Sequence, residues 1–87
     1  MRHTGELPVI ERATLQALAH ACNYSLTAHV PIEAVTRNFA RHLRGDAKKA
    51  LKKLRSKGYC IEHPTGRNRT WQLSSEGLRM AKMNIGI

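Results

Sequence analysis

The hydrophobic period of this chain changes at Gly58, and that change limits what it can fold into. Before it, Ala47, Ala50, Leu51 and Leu54 recur at helical spacing on a narrow arc. Lys48, Lys49, Lys52, Lys53 and Ser56 occupy the opposite arc. After it, Tyr59-Cys60-Ile61-Glu62 and Thr70-Trp71-Gln72-Leu73 read as strands. The segment between them, His63-Pro64-Thr65-Gly66-Arg67-Asn68-Arg69, is turn chemistry. An amphipathic helix therefore runs straight into a β-hairpin with a basic tip. The helix is expected over 46–57. Asp46 suits its N-cap, Lys57 places a cation at its negative end, and Gly58 occupies the C-cap region.

The flanking segments add helices. Ile10, Ala13, Ala17, Leu18 and Ala21 form an apolar stripe, widened by Leu15, and predict a helix from about Pro8 to Cys22. Pro8 suits its first turn, Glu11 lies near its positive end, and Asn23 can close it. Tyr24 to Val30 is irregular, with a brief strand expected over Ala28-His29-Val30. Pro31 fits the first position of a second helix, with Ile32, Val35, Phe39 and Leu43 as its stripe and Arg37, Arg41 and Arg44 on its other face. Gly45 closes that helix. Ser74 or Ser75 caps a final helix, Glu76 to about Asn84, with Leu78, Ala81 and Ile85 on one side. Gly77 in its first turn is expected to cost little. The fold class is α+β, mainly α, and 87 residues make a single domain, 1–87, with its core over about 8–84.

Charge then narrows the function. The net charge is +9, and it is concentrated between Arg37 and Arg69. That stretch holds Arg37, Arg41, Arg44, Lys48, Lys49, Lys52, Lys53, Arg55, Lys57, Arg67 and Arg69 against Asp46 and Glu62 alone. The rest of the chain is neutral. A one-sided charge carried on foldable elements implies a polyanionic partner.

The order helix, short strand, helix, helix, hairpin, helix fits a three-helix core with a two-stranded wing. Leu51-Lys52-Lys53-Leu54-Arg55-Ser56-Lys57-Gly58-Tyr59 resembles the end of a winged-helix recognition helix running into its wing. Trp71-Gln72-Leu73-Ser74-Ser75-Glu76-Gly77-Leu78 is similar to the strand-to-helix segment of small prokaryotic winged-helix regulators, of MarR type and archaeal phage-repressor-like type. The resemblance covers roughly Ile10 to Met83. It implies a winged helix-turn-helix domain, with helix 46–57 in the major groove of double-stranded DNA. It also implies a wing at 64–70 that reaches the adjacent minor groove or its phosphates through Gly66, Arg67, Asn68 and Arg69.

Within that frame Lys48, Lys49, Lys52 and Lys53 are the expected DNA contacts, with Arg44 and Lys48 nearest the base edges. Arg37 and Arg41 suit phosphate contact from the second helix. The competing reading pairs Arg37 with Glu33 at i, i+4. Lysine is a mobile point charge, suited to phosphate and poor at fork-like base recognition. Asn and Gln are absent from the outward arc, and Arg55 lies at its edge, so backbone binding with modest sequence selectivity is expected. A transcription regulator or a chromatin-like factor both fit. The alternative is an RNA-binding or ribosome-associated protein, because lysine richness also suits shape-based RNA recognition. A protein-interaction domain ranks third and leaves the charge unexplained.

Other chemistries find little support. His3, His20, His29, His42 and His63 have no zinc-like spacing with a cysteine, so no metal or other cofactor is expected. No paired carboxylates, nucleophile–base set or phosphate loop is recognisable, and the chain does not read as an enzyme. Trp71 and Tyr59 fit core or cross-strand packing better than base stacking. Arg44-Gly45-Asp46 reads as a turn between helices. Cys22 and Cys60 fit free thiols in a reducing cytoplasm, or the nucleoid if DNA is bound. No apolar run reaches the ~18 residues needed to span a bilayer. The final helix carries apolar residues on more than one side, consistent with a monomer or a weak homodimer through that helix.

Overall fold

The computed structural model describes residues 7–65 and 68–85. These form helix α1 (Val9–Ala21), strand β1 (Val30–Pro31), helix α2 (Ile32–Thr36), a 3-10 turn (Arg41–Leu43), helix α3 (Arg44–Ser56), strands β2 (Cys60–Thr65) and β3 (Asn68–Leu73), and helix α4 (Ser75–Ile85). The fold is α+β and mainly helical. Its antiparallel sheet has the order β1-β3-β2.

α3 follows its sequence pattern closely. Ala47, Ala50, Leu51 and Leu54 are its buried residues, and all four lysines are exposed. Its start differs. Arg44 and Gly45 are already helical, Leu43 is the N-cap, and Asp46 sits inside the first turn with no capping hydrogen bond from the N-cap side chain. Asp46 still places an acid in the first turn, at the positive end of the helix. At the other end Gly58 has φ +86, its N–H bonds to Arg55 O at 3.0 Å, and Tyr59 N–H bonds to Leu54 O at 2.9 Å. This pair of bonds is a Schellman closure, and Gly supplies the left-handed residue without a Cβ clash. α1 closes the same way. Asn23 and Tyr24 are both left-handed (φ 55 and 56), the Asn23 N–H bonds to His20 O, and the Tyr24 N–H bonds to Ala19 O.

The second helix is shorter than its apolar stripe predicts. α2 ends at Thr36, and Arg37 is its C-cap. Asn38 N–H and Phe39 N–H then bond three residues back, to Val35 O and Thr36 O, and the Asn38 amide donates to Ala34 O and Val35 O. An Asn side chain that takes helix carbonyls competes with continuation of the helix. Ala40 turns extended (ψ 148) before the 3-10 turn begins. Arg37 and Arg41 therefore do not share one helix face. Pro31 also lies one position earlier than expected, as N-cap and strand residue.

The buried face of α1 is rotated from the predicted stripe. Glu11, Thr14, Leu15, Leu18 and Ala19 are buried, whereas Ala13 is exposed and Ile10, Ala17 and Ala21 are half-buried. Two polar groups make this face tolerable. Thr14 Oγ1 donates to Ile10 O at 2.6 Å, and Glu11 accepts from Lys57 Nζ at 2.6 Å. A buried polar group with its partner in place costs far less than an orphan one.

The hairpin is longer than expected. His63, Pro64 and Thr65 are strand residues, paired with Thr70, Arg69 and Asn68. Pro64 lies on β2 and Pro31 on β1, the two edges of the sheet, so neither removes a donor from the central strand β3. The core gathers Leu15 and Leu18 of α1, Val35 of α2, Leu51 and Leu54 of α3, and Trp71 and Leu73 of β3. Trp71 is 2% exposed and is a core residue. Cys22 and Cys60 are buried free thiols.

α4 begins where Ser74 Oγ accepts from Gly77 N–H at 3.0 Å and donates to Gly58 O at 2.6 Å. Ser74 is thus the cap, and it ties α4 to the end of α3. Met80 and Ala81 are buried. Gly77 is not a neutral passenger, since a Cβ there would stand 1.8 Å from Tyr59 O.

Candidate nucleic-acid interface

The basic stretch from Arg37 to Arg69 occupies the end of α2, the 3-10 turn, α3 and the hairpin. Arg37, Arg41, Arg44, Lys48, Lys49, Lys52 and Lys53 are exposed, and among the described residues none of them forms an ion pair. Arg37 meets Glu33 only through its backbone N–H, which bonds Glu33 O at 3.0 Å, so the i, i+4 side-chain pair of the competing reading is not made. Arg44 Nε donates to Phe39 O at 3.2 Å, fixing its stem across the break after α2.

Helical geometry divides the cations of α3 into two rows. Arg44, Lys48, Lys52 and Arg55 follow one row, at spacings of four, four and three along the helix. This row lies on the hairpin side, because Arg55 reaches Glu62 of β2. Lys49 and Lys53 lie on the other flank and line a shallow groove with Ile10 and Glu11 of α1. The sequence treated the four lysines as one surface. Packing gives them different neighbours.

Three cations of the stretch are already paired. Lys57 is held by Glu11, and Arg55 and Arg69 both donate to Glu62, Arg69 Nη1 at 2.8 Å. The Glu62 side chain is only 8% exposed, while Arg55 and Arg69 remain 45% and 65% exposed. The hydrogen bond from Arg69, with that from Arg55 and the charge of both, holds the Glu62 carboxyl below its ordinary value against the opposing effect of burial. Arg69, expected to be free at the hairpin tip, is therefore tied down. Sequence spacing puts Arg55 only at the edge of the basic surface and gives Glu62 no part in it. The available signal was the isolation of Glu62 as the single acid within a basic hairpin. Gly66 and Arg67 lie outside the described residues, as does the side chain of Asn68.

On the opposite face of the hairpin, His63 Nε2 contacts Gln72 Oε1 at 2.6 Å and stacks on His29 with ring centroids 4.5 Å apart. Gln72 also donates to Leu26 O. These contacts fasten the 24–30 segment to the hairpin and occupy the amide of Gln72. Among the described residues no three His, Cys, Asp or Glu come together as a metal site. No helix of the described residues is long and apolar enough to cross a membrane.

No protein-family model matches the chain, and no curated protein matches it.

Proposed function

We propose that the chain binds double-stranded DNA as a small winged-helix transcription regulator or chromatin-like factor. In this reading α3 enters the major groove and the hairpin acts as the wing. The observation that carries the reading is that Arg44, Lys48, Lys49, Lys52 and Lys53 of α3 are exposed and form no ion pair among the described residues, beside a hairpin anchored to that same helix through Arg55. Surface lysines kept for solubility are usually interspersed with acids. Here Glu62 is taken up by Arg55 and Arg69, Asp46 is the one other acid of the stretch, and Arg37, Arg41, Arg44, Lys48, Lys49, Lys52 and Lys53 face solvent.

Phosphate contact dominates this mode of binding. Lysines supply charge, Arg37 and Arg41 flank the helix, and Arg44 and Lys48 stand at the helix start where base edges would be nearest. The amides of Asn38 and Gln72 are spent on protein partners, which limits direct base readout. Any pairing of two copies would use α4, whose Met83 is exposed.

Titration of a random duplex across salt concentrations tests the reading. Six to eight phosphate contacts give a log–log slope of about −5 to −7. A slope near −2 removes the proposal that the whole surface engages at once. Competition with structured RNA at matched salt decides between the DNA reading and an RNA-binding or ribosome-associated one, which the lysine-dominated surface also suits.

A further inference from the structure

Arg55 and Arg69 come from different elements, α3 and β3, and meet on one carboxylate of β2. The group carries two positive charges against one negative charge, so one charge remains uncompensated. The carboxylate side chain is only 8% exposed, while the Arg55 and Arg69 side chains are 45% and 65% exposed. An arginine has five N–H donors in a planar fork, and the contact each makes with Glu62 leaves others free. Holding both side chains in place also removes part of the rotamer entropy that a free arginine loses on binding.

We propose that Arg55 and Arg69 form a phosphodiester-binding fork at the junction of α3 and the hairpin, with Glu62 as its positioning residue. This rests on the nucleic-acid reading and adds a defined backbone contact to it. The fork grips one phosphate between helix and hairpin, and so fixes the angle at which α3 meets the duplex. Glu62 does not touch the nucleic acid. It holds the two guanidiniums side by side and keeps them from seeking other acids.

Two opposite expectations make this testable. Glu62→Gln raises the net charge by one unit from +9. If Glu62 is merely an acid beside a polyanion, the variant binds duplex DNA several-fold more tightly. If Glu62 positions the fork, the variant binds at least about fivefold more weakly despite its greater charge, an effect of the size expected for a charge-assisted hydrogen-bond network. A second variant covers the case in which Glu62→Gln is unstable. Arg55→Lys keeps the charge and removes the fork, so affinity falls about fivefold or more while the salt slope stays near the wild-type value. Tighter binding by a folded Glu62→Gln protein, or wild-type affinity in Arg55→Lys, overturns the proposal. A wild-type protein that binds duplex DNA with a steep salt slope while either of those results is found loses only the fork. A wild-type protein that does not bind duplex DNA at low salt loses the wider reading and the fork with it.

Discussion

Lys57 and Glu11 are 46 positions apart and meet at 2.6 Å, joining the end of α3 to the first turn of α1. Each has a local role as well, Lys57 at the negative end of α3 and Glu11 at the positive end of α1. The pair is asymmetric. The Glu11 side chain is 4% exposed and that of Lys57 is 42% exposed. Removing the lysine strands a buried carboxylate, whereas a surface pair would contribute little. Lys57→Ala should therefore lower stability by about 1–3 kcal/mol, below the full cost of breaking a buried pair because the lysine is partly solvated. Glu11→Gln should cost less, since a neutral amide can stay buried with fewer unmet demands. Urea denaturation of the two variants measures both, and equal small effects would show the pair to be an ordinary surface contact.

Gly77 and Gly45 should respond oppositely to alanine. At Gly77 the new Cβ would lie 1.8 Å from a backbone oxygen, so α4 or the 58–59 turn must move. Gly77→Ala should cost about 3 kcal/mol or more and lower the thermal midpoint sharply. At Gly45 nothing lies within 4 Å of a new Cβ, and the residue is in the first turn of α3. Gly45→Ala should stabilise by about 0.5 kcal/mol. Calorimetry on the pair separates close approach from helix propensity.

Glu62 should shape the acid limb of stability. Its folded pKa is depressed, so the folded chain binds fewer protons than the unfolded chain between the two values. The stabilisation is complete above the unfolded glutamate value of about 4.3 and is lost as pH falls through the lower folded value. Glu62→Gln should therefore flatten the fall in denaturation midpoint below that pH. A variant with the same acid dependence as wild type would remove Glu62 from the account.

The two flanks of α3 should differ in binding. Lys48→Ala with Lys52→Ala removes two charges from the row that also holds Arg44 and Arg55, and the salt slope should become shallower by about 2. Lys49→Ala with Lys53→Ala removes charges beside α1, and the loss in duplex affinity should be several-fold smaller. Equal losses would mean that the duplex covers both flanks.

Both thiols should be unreactive while the chain is folded. Burial pushes the Cys60 thiol up to about 12, and it also raises Cys22. Thiolate is the reactive form, so labelling by a thiol reagent at pH 8 should proceed only through opening of the fold. Labelling rates that track urea-measured stability would support this. Fast labelling in native buffer would not.

Much of the fold is legible in the sequence because it depends on local patterns. The buried arc of α3, the left-handed Asn23 and Gly58, the Ser74 cap and the hairpin all follow from spacing and residue type within a few positions. The misread elements depend on partners far along the chain or on competing bonds. Glu11 lies on the buried face of α1, with Thr14, Leu15, Leu18 and Ala19 rather than the alanine stripe, and its partner Lys57 arrives from the end of α3. Asn38 stops α2 with its own amide, against an apolar pattern that continues to Leu43.

The candidate site divides in the same way. The sequence by itself determined that the positive charge is concentrated, lysine-rich and carried on one helix and its neighbours, because composition and helical period need no tertiary information. Only the tertiary structure decided which cations meet an acid and which stand alone. Ion pairing depends on through-space distance, and folding brings Glu62 to Arg55 and Arg69, and Glu11 to Lys57, across turns and between elements.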